Sequence, residues 1–357
     1  MGDTILDLRV AKHADVLVNY STKVKRGDNV IIQLSDEGID LATEIYKKVA
    51  QIGGNPLIII TPSEAVRGYY ELTPKKFLKN FPTNVYSLVK ESDVFISILS
   101  SSNTRFLSNT DPQLLGVRSK AIEKIRKERL KKRWCLTVYP TSAFAQEADM
   151  ALVDYENFVY SAILRDWEKE KQRLNKLKKA FESGKEIRLV AEGTDLTMSV
   201  KGRKFAISDG THNMPGGEVF TAPVEDSVDG EVSFDLPAIY HGREVLGIKL
   251  KFEKGEIIDF SAAKNESLLK SMINTDKGSK RLGELGIGTN AGIPNFSKNI
   301  LFDEKIYGTI HLAIGMSYEE CGGKNKSAIH WDMIKSMKKG KIILDGKIVQ
   351  DKGKFRV

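Results

Sequence analysis

The sequence predicts two domains of different class: an α/β N-terminal domain with a mostly parallel sheet over residues 1–185, and an α+β C-terminal domain on an antiparallel sheet over residues 186–357. Three observations lead there. The first half alternates short continuous apolar runs with helical patterns, the texture of strands buried on both faces and joined by crossover helices. The second half alternates apolar and polar residues, as half-buried antiparallel strands do, with Gly-Lys, Asp-Gly and Lys-Gly breaks that read as hairpins. At 357 residues the chain is long enough to build two cores.

In the first half, VIIQL (30–34), PLIII (56–60), VFISIL (94–99) and WCLTVY (134–139) are the predicted strands. Between the first two, Ile39, Leu41, Ile45, Tyr46 and Val49 recur at helical spacing, and Gly53-Gly54 closes the helix. A parallel sheet invites a nucleotide site, but neither G-x-G-x-x-G nor G-x-x-x-x-G-K-[ST] follows any of these strands, so the phosphate cradle is missing. Residues 118–133 are expected to form one basic helix, with Glu123 and Glu128 each four places before a lysine. No aromatic residue interleaves that run for base stacking, so it reads as a solvated face and not a nucleic-acid groove. A second charged helix, over residues 157–183, is expected to bridge the domains, with the boundary near Lys185.

In the second half, residues 186–208 and the segments EVSFDLPAIY, REVLGIKLKFEKGEIIDF and GKIILDGKIVQDKGKF carry the strand alternation, while KNESLLKSMINTDKGSKRLGEL supplies a helix. The composition is 41% hydrophobic and 29% charged, and no apolar run approaches the roughly 20 residues of a membrane helix. The N-terminal stretch lacks a basic start followed by an apolar block, and Cys135 and Cys321 are too few for a disulfide framework. A cytoplasmic protein without membrane or nucleic-acid partners is therefore expected. Its net charge of +8 reads as a Lys-rich solvated surface of the kind thermophile proteins carry, with a polyanionic partner as the other reading.

The stretch richest in chemistry is HLAIGMSYEECGGKNKSAIHWD, residues 311–332, which holds two of the five histidines. In an extended segment His330 and Asp332 point to one side, and imidazole nitrogen with carboxylate oxygen is a donor set that Zn²⁺, Co²⁺ or Mn²⁺ accepts when no thiolate is offered. Upstream, PGGEVFTAPVEDSVDG, RLGELGIGTN and LFDEK precede it, and NKSAIHWDM closes it. These motifs, in this order, closely resemble the aminopeptidase T / aminopeptidase S family of dinuclear metallo-aminopeptidases. The likeness covers most of the second half, and extends more weakly to LVNYSTKVKRGDNV and YPTSAFAQEADM.

The resemblance implies five metal ligands: Glu218 in PGGEV, Glu284 in RLGEL, His311 in TIHLA, and His330 with Asp332 in AIHWD. Taken singly, Glu218 reads as a turn residue, Glu284 as a solvated helix residue and His311 as a core histidine. The resemblance also implies two divalent ions (Zn, Co, Mn or Mg), with Glu284 or Asp332 bridging them and a shared water activated between them. Tyr318, seven places after His311, matches the family's catalytic tyrosine, a donor to the developing oxyanion. Glu225, Asp226, Asp303 and Glu304 are acids that could orient a ligating histidine or receive a substrate ammonium, and His212 could line the site. The implied activity is removal of N-terminal residues from short peptides by a homodimer. The rival readings are a dinuclear hydrolase of another amide or phosphoester, and a basic nucleic-acid-binding protein.

Overall fold

The computed structural model describes residues 7–240 and 242–356; the first six residues, on which the leader expectation partly rests, lie outside them. The chain divides into two compact units. One comprises residues 1–165 with 210–216, the other residues 166–209 with 217–357. Among the described residues no helix is long and apolar enough to cross a membrane.

The first unit holds β1 (Asn29–Leu34), β2 (Asn55–Ile60), β3 (Val94–Leu99) and β4 (Arg133–Val138) in the order β2-β1-β3-β4, with a short fifth strand, Asn213–Met214, beside β4. Every pairing is parallel. The helix between β1 and β2 spans Ile39–Ile52 and buries Leu41, Ala42, Ile45 and Val49; Gly53 at φ 84° takes the left-handed position that ends it. Two expectations need correction. β2 is an edge strand with Leu57 and Ile60 exposed, because β1 and β3 take the interior places; an apolar run does not say where in a sheet it will lie. The basic stretch is two helices, Pro112–Ala121 and Glu123–Arg129, followed directly by β4. Ile122 leaves the helical region at φ −100°, ψ 8°, where it and Ile125 pack on Ile31 and Phe95, so packing overrides the local helical pattern.

The second unit stacks an eight-stranded sheet and a five-stranded sheet around one core. The larger sheet, from Glu186–Ala191 to Lys354–Phe355, is antiparallel throughout. Three of its hairpins turn at Lys254-Gly255, Asp345-Gly346 and Lys352-Gly353, each pair with two positive φ values, which suits a two-residue turn to the strand twist. The predicted bridging helix is also two: Leu152–Ile163 belongs to the first unit and Trp167–Glu182 to the second. The chain first passes from one compact unit to the other at Arg165/Asp166. Leu174, Leu177 and Phe181 pack with Ile187 and Leu196, and that shared burial ties the second helix to the sheets that follow it.

The smaller sheet positions the site. It contains β5 (Ala206–Ser208), β6 (Glu218–Thr221), β7 (Leu282–Gly288), β8 (Thr309–Gly315) and β9 (His330–Ser336), in the order β9-β8-β7-β6-β5, all antiparallel. Ile287, Ile310, Leu312, Trp331 and Met333 fill its inner face as part of the core.

Candidate metal centre

Side chains alternate along a strand, so the residues between those core positions share the opposite face. On β7 that face carries Glu284, Gly286 and Gly288; on β8 it carries His311, Ala313 and Gly315; on β9, His330, Asp332 and Ile334. The register then pairs each large polar side chain with a small neighbour. Gly288 stands opposite Glu218, Gly286 opposite His311, Ala313 opposite both Glu284 and Asp332, and Gly315 opposite His330. Gly286 is indispensable to this packing: a Cβ there would overlap the His311 imidazole.

The five residues named from the sequence come together on this face. His311 Nε2 lies 3.3 Å from Glu284 Oε1 and 3.5 Å from Glu218 Oε2. His330 Nε2 lies 3.2 Å from Glu284 Oε2 and 3.6 Å from Asp332 Oδ1. His330 Nδ1 is 2.8 Å from the Met316 carbonyl, which only accepts; Nδ1 therefore carries the hydrogen and Nε2 is turned to the carboxylates. Two overlapping groups have one ligand atom per residue within 4.8 Å of one another: Glu284, His311 and Asp332, and Glu218, Glu304 and His311.

Burial opposes the charge on both imidazoles, but their hydrogen bonds to Glu284 and, for His330, Asp332 lift both pKa values above the ordinary range. Burial would raise Glu284 and Asp332; instead hydrogen bonds to the histidines hold both carboxyls low. Glu218, without such a bond, is pushed up by burial. Tyr318 follows the bend after β8, its ring centroid 5.1 Å from that of His330, and burial together with the charges of Glu284 and Asp332 keeps its phenol protonated. The donor set fits divalent cations. Carboxylate oxygens and imidazole nitrogens converge from four strands, and two histidine nitrogens point into the acid cluster instead of pairing with backbone.

Two further residues stand at this centre. Glu304, expected to orient a histidine or receive an ammonium, offers a potential ligand atom beside Glu218 and His311. Lys305, next to it, is completely buried: its Nζ lies 3.5 Å from Glu218 Oε1 and hydrogen-bonds Glu304. Burial works against its charge, but the two carboxylates outweigh that and raise its pKa. A lysine in an Asp-Glu-Lys run carries no local sign of burial, since the ring of acids around it is assembled from distant strands. Other early candidates are engaged elsewhere. Glu225 pairs with Arg203 at 2.5 Å and accepts from the Lys324 amide, and His212 packs against Trp134 in the first unit. Asp303 accepts from the Ser297 amide and hydroxyl, at 2.7 and 2.8 Å, and burial pushes its pKa up to about 7.

A cavity of about 180 Å³ adjoins the centre, where Ile239, Phe296, Ile300 and Ile334 meet Asp303, His330 and Asp332.

The donor set on this sheet face is that of a metal-dependent enzyme. The chain belongs to the thermophilic metalloprotease family, M29, which it matches over residues 6–355. It is similar to aminopeptidase AmpS of Bacillus subtilis (28% identity, over 86% of this chain and 83% of the relative). It is also similar to aminopeptidase T of Thermus thermophilus (24% identity, over 87% of this chain and 85% of the relative). Among solved structures, wild-type AmpT from Thermus thermophilus superposes with a TM-score of 0.87 at 22% identity, covering 98% of this chain and 99% of that one. A 2,5-dihydroxypyridine dioxygenase from Pseudomonas putida KT2440 shares the fold at a TM-score of 0.63 and 15% identity, over 97% and 96% of the two chains.

Proposed function

We propose that this chain is an aminopeptidase that removes N-terminal residues from short peptides, with a pair of divalent ions (Zn, Co, Mn or Mg) held by Glu218, Glu284, His311, His330 and Asp332. The observation that carries the reading is the convergence of these side chains on one sheet face in a chain of a metalloprotease family. The aminopeptidases among its relatives point to cleavage from the N-terminus. Ions bound there would lower the pKa of a water and polarise the peptide carbonyl.

The chain's own residues do the rest. Glu284, between the two imidazoles, is the carboxylate best placed to serve both ion positions. Tyr318 keeps its proton and donates a hydrogen bond to the carbonyl oxygen as charge develops there. The apolar wall of the cavity beside His330 and Asp332 takes the side chain of the first residue, which favours aliphatic and aromatic N-termini. We assign the protein to the cytoplasm as a homodimer on the family resemblance. The first unit supports the assembly with exposed Leu57, Ile60, Leu72 and Leu88. A monomer mass by light scattering at micromolar concentration would refute the dimer.

The reaction is tested with chelator-stripped protein on leucine p-nitroanilide, with and without added Co²⁺ or Zn²⁺, beside a Glu284→Gln variant. Activity restored by metal in the wild type alone supports the reading. Equal turnover of an N-blocked anilide, or turnover of nitrophenyl phosphate only, moves the assignment to another hydrolase.

A further inference from the structure

Lys305 is among the largest completely buried side chains in the protein, and a lysine is buried at such depth only when its charge is paired. Its partners are Glu218 and Glu304, which with His311 make up one of the two groups that could hold an ion. Among the described residues no lysine or arginine is ion-paired to the other group, Glu284, His311 and Asp332, and His330 joins it through Glu284 and Asp332. The two ends of the centre therefore differ in kind. One is an open set of carboxylates and imidazoles, and the other already contains a cation supplied by the chain.

We propose that the Lys305 ammonium makes the two ion positions unequal: one divalent ion binds tightly at the Glu284–His330–Asp332 end, while the Glu218–Glu304 end is satisfied by Lys305 and takes a second ion only weakly. This rests on the metal-centre reading above. The charge count agrees. With His311 and His330 neutral, as metal ligands must be, Glu218, Glu284, Glu304 and Asp332 against one ammonium leave three negative charges, so a first divalent ion leaves one and a second reverses the sign. A second ion must also approach an ammonium held in a dry pocket, where like charges repel far more strongly than in water. Lys305 cannot withdraw into solvent, because its side chain is completely enclosed and its backbone carbonyl accepts from the Asn290 amide.

The test is a titration of chelator-stripped, full-length protein with Mn²⁺, followed by calorimetry and by electron paramagnetic resonance, for the wild type and for Lys305→Met. The wild type is expected to bind one ion per chain, with the isolated six-line Mn²⁺ signal at one equivalent and a second site about 100-fold weaker. Lys305→Met is expected to bring the two affinities to within about tenfold and to give a spin-coupled spectrum at two equivalents. The wild-type measurement stands alone if the variant does not fold. Two equal sites in the wild type, or an unchanged affinity ratio in a folded Lys305→Met, would overturn the inference. Absence of any bound ion in the wild type would remove the metal-centre reading and this inference with it, an outcome that the stoichiometry separates from the first two.

Discussion

His13 and His311 are both completely buried, yet they sit at opposite electrostatic extremes. His13, on the helix Leu8–Asp15 of the first unit, has one polar partner, Thr137 Oγ1 at 2.9 Å, and the edge of Tyr160. Burial alone pushes its pKa down to about 3, so it is neutral throughout the physiological range. His311 is buried equally, but among carboxylates of β6 and β7 that overcome the same penalty and lift its pKa. Depth in the core thus says little about a histidine's role. What distinguishes a candidate ligand is a convergent set of acids, here assembled by strand register.

The comparison can be broken at several points, and the largest expected effect is in the chemistry beside His330. Tyr318→Phe should lower kcat for leucine p-nitroanilide by roughly 10²–10³-fold with little change in KM, since the lost hydrogen bond forms only as the oxyanion develops. A comparable rise in KM at constant kcat would make Tyr318 a ground-state binding residue instead. Gly286→Ala comes next. The added Cβ displaces the His311 ring from its acids, and kcat/KM should fall about 10²-fold while the circular dichroism spectrum is retained. Wild-type activity in that variant would mean His311 is not held where the register puts it.

At His13 the effect is on stability. The folded pKa of about 3 lies below the unfolded value of 6.5, so within that window the unfolded chain binds a proton that the folded chain refuses. Its contribution is fully present above about pH 6.5 and is lost as pH falls, amounting to roughly 2–3 kcal/mol at pH 4.5. Urea unfolding at pH 7 and pH 4.5 should show that loss in the wild type and not in His13→Gln; equal losses in both would place the acid sensitivity elsewhere. The smallest expected effect concerns the cavity rim. Ile300→Glu should shift preference from leucine toward lysine and arginine anilides by about tenfold, and an unchanged ranking would remove the cavity from substrate recognition.

Much of the fold was legible in the chain itself. Apolar runs marked β1, β3 and β4, and the dipeptides Lys254-Gly255, Asp345-Gly346 and Lys352-Gly353 marked hairpins, because strand burial and turn geometry are local requirements written into local residues. The candidate ligands Glu218, Glu284, His311, His330 and Asp332 were visible through the family resemblance, because each sits in a motif that carries it. The edge position of β2, the break at Ile122, and the assignment of the Trp167–Glu182 helix to the second unit were not visible. Each depends on which distant surface a segment packs against, and local periodicity is silent on that. The same is true of the centre's particulars. Gly286 makes room for His311, and Lys305 lies buried between Glu218 and Glu304, only because β6, β7 and β8 pair in one register. A slip of one residue would turn every candidate ligand into the core, so the sequence names the candidates and the pairing of remote strands decides what surrounds them.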